Sequence, residues 1–193
     1  MIRYNKTIKN ISVLKWRLIN VELLKILQNR RSIRKYTDEN ISEEDLEMIL
    51  KSALLSPSGK NLKPWEFIVV RKKENIENLS KIKVGSSFIK NANALILVLG
   101  DSEKSGTWIE DTSIAIYNMH LMASYLGLAS CWIQCRGRNS EDGQTCEEYA
   151  RKFLNFPENY KLLAILPIGK SEQNLKNHSS NELNWEKIHK EVF

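Results

Sequence analysis

Apolar residues along this chain change their period several times, and each change marks an element. Leu23, Leu24 and Leu27 share one face of a short helix predicted over residues 20–28. A cationic run follows. Ser42-Glu43-Glu44-Asp45 then resembles a capping box with Asp in place of Glu, and it opens a second helix. Leu46, Ile49, Leu50, Ala53 and Leu54 recur at helical spacing until Pro57 stops the pattern. At WEFIVV (65–70) the period becomes two, with Trp65, Phe67 and Val69 in phase, which predicts a strand. Residues 74–82 read as a short helix, and ALILVL (94–99) as a strand buried on both faces. A long helix is predicted from Trp108 to Leu126, with Ile109, Ala115, Ile116, Met119, Ala123 and Leu126 inward and Gly127 as its terminator. ASCWIQ (129–134) reads as a strand, 144–154 as a helix and LLAILPI (162–168) as a strand, with Pro167 expected at a strand end or on a sheet edge. The tail from 170 is polar and then regains Leu183, Trp185, Ile188 and Val192. Strands too apolar to face water alternate with helices, so the pattern predicts one central sheet covered on both sides, a three-layer α/β domain. It does not supply the strand order.

Composition narrows the function classes. Of the 193 residues 42% are apolar and 27% charged, the balance of a globular domain. ALILVL is the longest apolar stretch, far short of the ~20 residues a membrane span needs, so no membrane partner is expected. The net charge of +6 comes from lysines spread along the chain, and no common nucleic-acid module is readable, so no nucleic-acid partner is expected. Three cysteines, Cys131, Cys135 and Cys146, are an odd count without Cys-x-x-Cys pairing. They predict neither a disulfide framework nor a metal site, and point to a reducing, cytoplasmic location. Residues 1–21 carry Arg3, Lys6, Lys9, Lys15 and Arg17 and no acid, without the apolar core or cleavage site of a secretory signal. We read 1–19 as a basic arm and 20–193 as one domain.

Two stretches carry candidate chemistry. NRRSIRKY (29–36) holds Arg30, Arg31, Arg34 and Lys35 around Ser32. One or two cations would complement a helix C-terminus at ~0.3–1 kcal/mol each, but four close together repel, and Arg forks suit phosphate or carboxylate. Charge alone leaves the run open between a solvated face and an anion site. SPSGKNLKPW (56–65) offers hydroxyl, amide and backbone donors around Gly59, an inventory for gripping a hydroxyl-bearing chain, or else a plain connection. Hydrolase elbows, zinc-protease pairs, phosphate loops and dinucleotide fingerprints are absent from the sequence, and His120, His178 and His189 show no triad logic. An enzyme built this way leaves the difficult chemistry to an organic cofactor.

Taken together the segments resemble the FMN-dependent nitroreductase family. RRSIRKY, followed about twenty residues later by SPSGKNLKPWEFIVV, is similar to that family's paired N-terminal signature. WIEDTSIAIYNMHLMASYLGLASCWIQ resembles its central helix and following strand, and LAILPIGK its last core strand and glycine. The likeness spans roughly residues 22–193. It implies an α+β fold, three layers around a mostly antiparallel sheet flanked by helices, and an intertwined homodimer with two FMN sites at its interface. It thereby replaces the parallel pairing that the pattern suggested.

The resemblance also implies roles. Arg30, Ser32 and Arg34 match positions that hold the flavin: Arg30 at the phosphate, Ser32 at the phosphate or ribityl region, Arg34 at the pyrimidine edge as an electrostatic tuner. Arg31 matches a position acting through its backbone or a phosphate contact. Pro57, Ser58, Gly59 and Asn61 match the loop given by the opposite subunit, Ile133, Gln134 and Cys135 the strand end at the flavin N5/O4 edge, and Lys176 a cation near the phosphate. No side chain is implied as the catalyst, because FMN carries the chemistry. Lys63 stands where relatives often have Gln, Gly169-Lys170-Ser171 replaces a Gly-Tyr-Pro ending, and Trp108 is open between pocket lining and packing. The implied activity is ping-pong hydride transfer from NAD(P)H through FMN to a small-molecule electron acceptor such as a nitroaromatic or a quinone. The alternatives are a dehalogenating or flavin-fragmenting relative, and a non-catalytic flavin-binding module.

Overall fold

The computed structural model describes residues 22–193, and two long apolar strands organise it. In chain order the elements are α1 (22–29), α2 (Glu43–Leu54), β1 (Trp65–Val70), α3 (Lys73–Leu79), β2 (Ala94–Asp101), α4 (Trp108–Tyr125), β3 (Ala129–Ser130), β4 (Ile133–Gln134), α5 (Cys146–Leu154) and β5 (Tyr160–Gly169). Residues Arg31–Leu175 make one compact unit; of the other described residues, 22–30 and Lys176–Phe193 make a second. The basic arm expected at 1–19 lies outside the described residues.

The sheet runs β1-β2-β5-β3, with β4 also on β5, and every pairing is antiparallel. The antiparallel α+β sheet that the resemblance implied is what the chain has, and the α/β reading of the apolar pattern alone is corrected. An unbroken apolar run reports burial on both faces, and helices on both sides bury an antiparallel strand just as they bury a parallel one. Leu95, Leu97 and Leu99 of β2 face α3 and α5 through Ile76, Leu79, Tyr149 and Ala150. Ala94, Ile96 and Val98 face α2 and α4 through Leu46, Ile49, Ala115, Ile116, Met119 and Ala123. Each large side chain buried in these two cores contributes about 1.5–3 kcal/mol.

Local rules fix the element ends. Ser42 Oγ accepts the Asp45 N–H at 3.0 Å and caps α2. The reciprocal box expected there belongs instead to α5, where Thr145 and Glu148 bond each other's backbone N–H. Gly127, at φ +72°, closes α4, and the Leu128 N–H reaches back to the Ala123 carbonyl at 2.8 Å. ASCWIQ is two strand pieces rather than one, interrupted at Cys131–Trp132, yet both pair with β5 in a single register. That register sets Cys131 opposite Pro167, which lacks an N–H to give. Pro167 itself sits inside the central strand β5, opposite Leu95 of β2, rather than at an end or edge. The sheet accommodates it by breaking the neighbouring strand. Among the described residues no helix is long and apolar enough to cross a membrane.

Candidate functional site

The cationic run is extended chain held against the sheet edge. Within Arg31–Leu175, the Ile33 N–H donates to the Ser130 carbonyl of β3 at 3.0 Å, and the Thr37 N–H to the Lys170 carbonyl at 2.9 Å. Residues 170–173 run antiparallel to it: the Glu172 N–H reaches the Lys35 carbonyl at 3.2 Å, and the Arg34 N–H reaches Gln173 Oε1 at 3.2 Å. This settles the path after Gly169, with Lys170 Nζ 2.7 Å from Glu39. Tyr36 is the rivet. Its buried ring stacks on Phe88, its hydroxyl donates to the Ile33 carbonyl at 3.1 Å, and a Cβ on Gly169 would come within 2.9 Å of the ring. Burial pushes the Tyr36 phenol far above its ordinary pKa; Cys131 adds to the rise and Arg34 opposes it, so the hydroxyl stays a neutral donor. So anchored, the segment leaves Arg34 exposed and Arg31 and Ser32 partly so, with Arg34 Nη1 donating to the Ser32 carbonyl at 3.3 Å.

From this segment the edge strand leads to the second group of expected residues. Ser130 turns its carbonyl outward to Ile33, whereas the Cys135 N–H points inward to the Leu163 carbonyl at 3.1 Å. Alternation along an antiparallel strand therefore turns the backbone of Gln134 outward, off the sheet edge. Gln134's side chain is tied down, accepting from Trp132 Nε1 and donating to the Arg136 carbonyl, both at 2.9 Å. Ser130 and Cys135 are five residues apart, ~16 Å of strand. Burial raises the Cys135 thiol pKa, so it is a neutral packing group here, beside Cys146.

The third group, Pro57 to Asn61, lies elsewhere. Its loop hangs from one buried carboxylate: Asp111 Oδ1 accepts the Gly59 N–H at 2.8 Å, while Oδ2 accepts the hydroxyls of Thr107 at 3.1 Å and Ser105 at 3.3 Å. A Cβ on Gly59 would stand 2.5 Å from Thr107 Oγ1, so only glycine approaches this closely. Ser58 Oγ accepts the Lys63 N–H at 2.9 Å, and Asn118 Nδ2 donates to Ser56 Oγ at 2.8 Å. Lys60, Asn61 and Lys63 all have positive φ, 51°, 56° and 47°. Such backbone strain persists only where the surroundings impose it. Lys63 is exposed.

A single chain does not bring these groups to one place. The cationic segment lies at the Gly169 end of β5, while Gly59 hangs at the start of α4, beside Trp108 and Gly100, which pairs with Lys161. Lys161 and Gly169 are eight residues apart, ~26 Å of strand. Arg30 and Lys176 belong to the other compact unit. Sequence reasoning missed Asp111, Tyr36 and Asn118 as anchors. Asp111 had a readable signal, a carboxylate one turn before the inward Ala115 of a largely apolar helix face.

The residues fit FMN as a donor set. Arg31 and Arg34 with Ser32 suit a phosphate or an electron-rich ring edge at one end, and an outward peptide group of a sheet edge suits a hydrogen-bonding heterocycle at the other. His120, buried, is within 2.6 Å of Ser130 Oγ through Nδ1 and braces the strand rather than reaching solvent.

Comparison with known proteins agrees. A family profile described as Nitroreductase family matches residues 27–86 and 81–170. A protein of Archaeoglobus fulgidus named "Putative NADH dehydrogenase/NAD(P)H nitroreductase" is 36% identical over 178 residues, 89% of this chain and 99% of its own length. Among solved structures, an FMN-dependent nitroreductase from Clostridium difficile R20291 has a TM-score of 0.85 and 44% identity, covering 88% of this chain and 99% of that one. A nitroreductase homologue from Desulfovibrio desulfuricans, solved in complex with FMN, has a TM-score of 0.71 and 27% identity over 89% of this chain and 97% of its own.

Proposed function

This chain belongs to the nitroreductase family, and on that premise we propose that it is an FMN-dependent NAD(P)H oxidoreductase acting on small aromatic acceptors. The observation that carries the reading is the exposed cationic segment riveted to the sheet edge, with the strand running on from it to the outward backbone of Gln134. FMN, when bound, supplies the hydride chemistry, accepting from NAD(P)H and delivering to a nitroaromatic or quinone in ping-pong order. The chain's own part is binding and electrostatics. Arg31 and Ser32 hold anionic and hydroxyl groups of the cofactor. Arg34 places a fixed positive charge where negative charge gathers on reduction. Gln134 and Cys135 present backbone groups to the ring edge.

A homodimer completes the site in this reading. The Pro57–Asn61 loop stands at the far end of its own sheet, so a second copy is the source of a loop for the cationic end. Exposed Ile114, Tyr117 and Tyr125 make an apolar stripe along α4, and exposed Leu54 and Leu55 end the packed neighbour α2. These residues supply a face for such a copy. Three free cysteines suit a reducing compartment such as the cytoplasm.

The test is spectroscopic. Purified protein should be yellow or take up FMN, and anaerobic stopped-flow mixing with NADH or NADPH should bleach the flavin absorbance. Failure to bind FMN overturns the reading. Binding without bleaching assigns the chain to non-catalytic flavin-binding modules.

A further inference from the structure

A cleft of about 300 Å³ opens where β4 ends, lined by Trp108, Cys135, Arg136, Arg138, Thr145 and Lys161 among others. That volume sits at the low end of the ~300–1,000 Å³ range of ligand pockets and suits one substituted ring. The cleft adjoins the candidate cofactor strand through Cys135, and its cations are none of those assigned to the cofactor.

Its walls are built for a planar anion. Trp108 is fixed from behind, because Gly100 leaves room that a Cβ would fill at 2.4 Å from the indole Cε3. Gly137, at φ +68°, turns the chain between Arg136 and Arg138. Arg138 is held at its backbone on both sides, its N–H bonded to the Cys135 carbonyl at 3.0 Å and its carbonyl to the Cys146 N–H at 2.9 Å. Among the described residues neither guanidinium has an ion-pair partner. Lys161 lies 3.5 Å from Glu147, but that carboxylate is already committed to Arg151 at 2.9 Å and to the Leu162 N–H at 2.9 Å. Three cations thus face a cleft whose single carboxylate is bound elsewhere, beside a rigid aromatic wall.

We propose that the cleft selects aromatic acceptors bearing a carboxylate, the ring lying against Trp108 and the carboxylate gripped by Arg136 and Arg138 with Lys161 adding charge. An Arg fork donates two parallel hydrogen bonds to a carboxylate, so the gain is geometric as well as electrostatic. The assignment deepens the oxidoreductase reading and rests on it only for turnover.

The experiment compares 4-nitrobenzoate with 4-nitrobenzyl alcohol, which share ring and nitro group, on the FMN-loaded protein and on the double variant Arg136→Gln, Arg138→Gln. Both side chains are exposed, and circular dichroism verifies that the variant folds. For the wild type, KM for the benzoate should be about tenfold below that for the alcohol, and in the variant the ratio should fall towards one. Isothermal titration of the two compounds should give the same ordering of Kd and the same loss, whether or not turnover occurs. Equal Kd values for the two compounds in the wild type, or an advantage that survives in the variant, would overturn the assignment. Absence of turnover with preserved, arginine-dependent benzoate binding would instead sink the oxidoreductase reading and keep the cleft's.

Discussion

The two segments expected to meet the flavin are held by opposite strategies. The cationic run is clamped by backbone hydrogen bonds to β3 and to the chain after β5, and Tyr36 only completes the clamp. The Pro57–Asn61 loop has little ladder to lean on. Its turns, with positive φ at Lys60, Asn61 and Lys63, close on Ser58 and Gly59, and Gly59 is tied to α4 through one side chain, Asp111, whose two oxygens accept three donors. The first arrangement spreads its support over many weak bonds, so any one is dispensable. The second concentrates it, which leaves the loop precise but dependent on a single buried charge.

The largest effect should therefore fall on the loop. Asp111→Ala leaves the Gly59 N–H without its acceptor and the paired Ser105 and Thr107 hydroxyls without their carboxylate, beside a buried Ser105, and should cost about 3 kcal/mol in urea unfolding. If the loop comes from a second copy, FMN affinity should fall with it. Asp111→Asn, which keeps one acceptor oxygen, should recover part of both losses. A stability change under ~0.5 kcal/mol for Asp111→Ala would mean that the loop holds itself, and the contrast between the segments would collapse.

How much of this was readable in the sequence follows the same division. β1 was legible to the residue because alternation over WEFIVV reports one environment directly. The boundaries of α2 and α4 followed from Ser42, Pro57 and Gly127, each of which acts on backbone within about one turn of itself. Strand direction was not legible, since apolarity reports burial and not partner. Pro167 misled because a proline is normally excluded from a central strand; its cost here appears in a different stretch of chain, the break at Cys131–Trp132. The cationic run was visible as charge, but its rivet was invisible: Tyr36 matters through Gly169 and Phe88, which are distant in sequence. Arg136 and Arg138 drew no attention, because two arginines around a glycine become a site only when Trp108 and Lys161 arrive from other elements.

An intermediate effect should isolate function from fold. Arg34 is exposed at the clamped segment, and its side chain's hydrogen bond is to the nearby Ser32 carbonyl, so Arg34→Ala should change stability by less than ~0.5 kcal/mol. Loss of a charge-assisted contact to the flavin should raise the FMN Kd roughly tenfold or more, and should slow anaerobic reduction by NAD(P)H. Arg34→Lys should restore part of the reduction rate, because the charge returns without the fork. Unchanged FMN affinity and reduction rate in Arg34→Ala would remove Arg34 from the site.

The smallest effect tests the clamp's redundancy. Tyr36→Phe keeps the ring on Gly169 and Phe88 and removes only the hydroxyl bond to the Ile33 carbonyl, a loss of about 1 kcal/mol with FMN affinity little changed. Its pH dependence has a fixed sign. The folded phenol titrates far above its ordinary value of about 10, chiefly because it is buried, so the unfolded chain ionises first. Tyr36 therefore stabilises fully below pH ~10, and its contribution declines as the pH rises beyond that towards the folded pKa. The gap between wild type and Tyr36→Phe in urea unfolding should be constant from about pH 6 to 9 and should narrow only above about pH 10. A gap that opened or closed near neutral pH would mean that some other group is coupled to the hydroxyl. A loss much beyond ~1.5 kcal/mol would mean that the segment hangs on one bond, just as the loop hangs on Asp111.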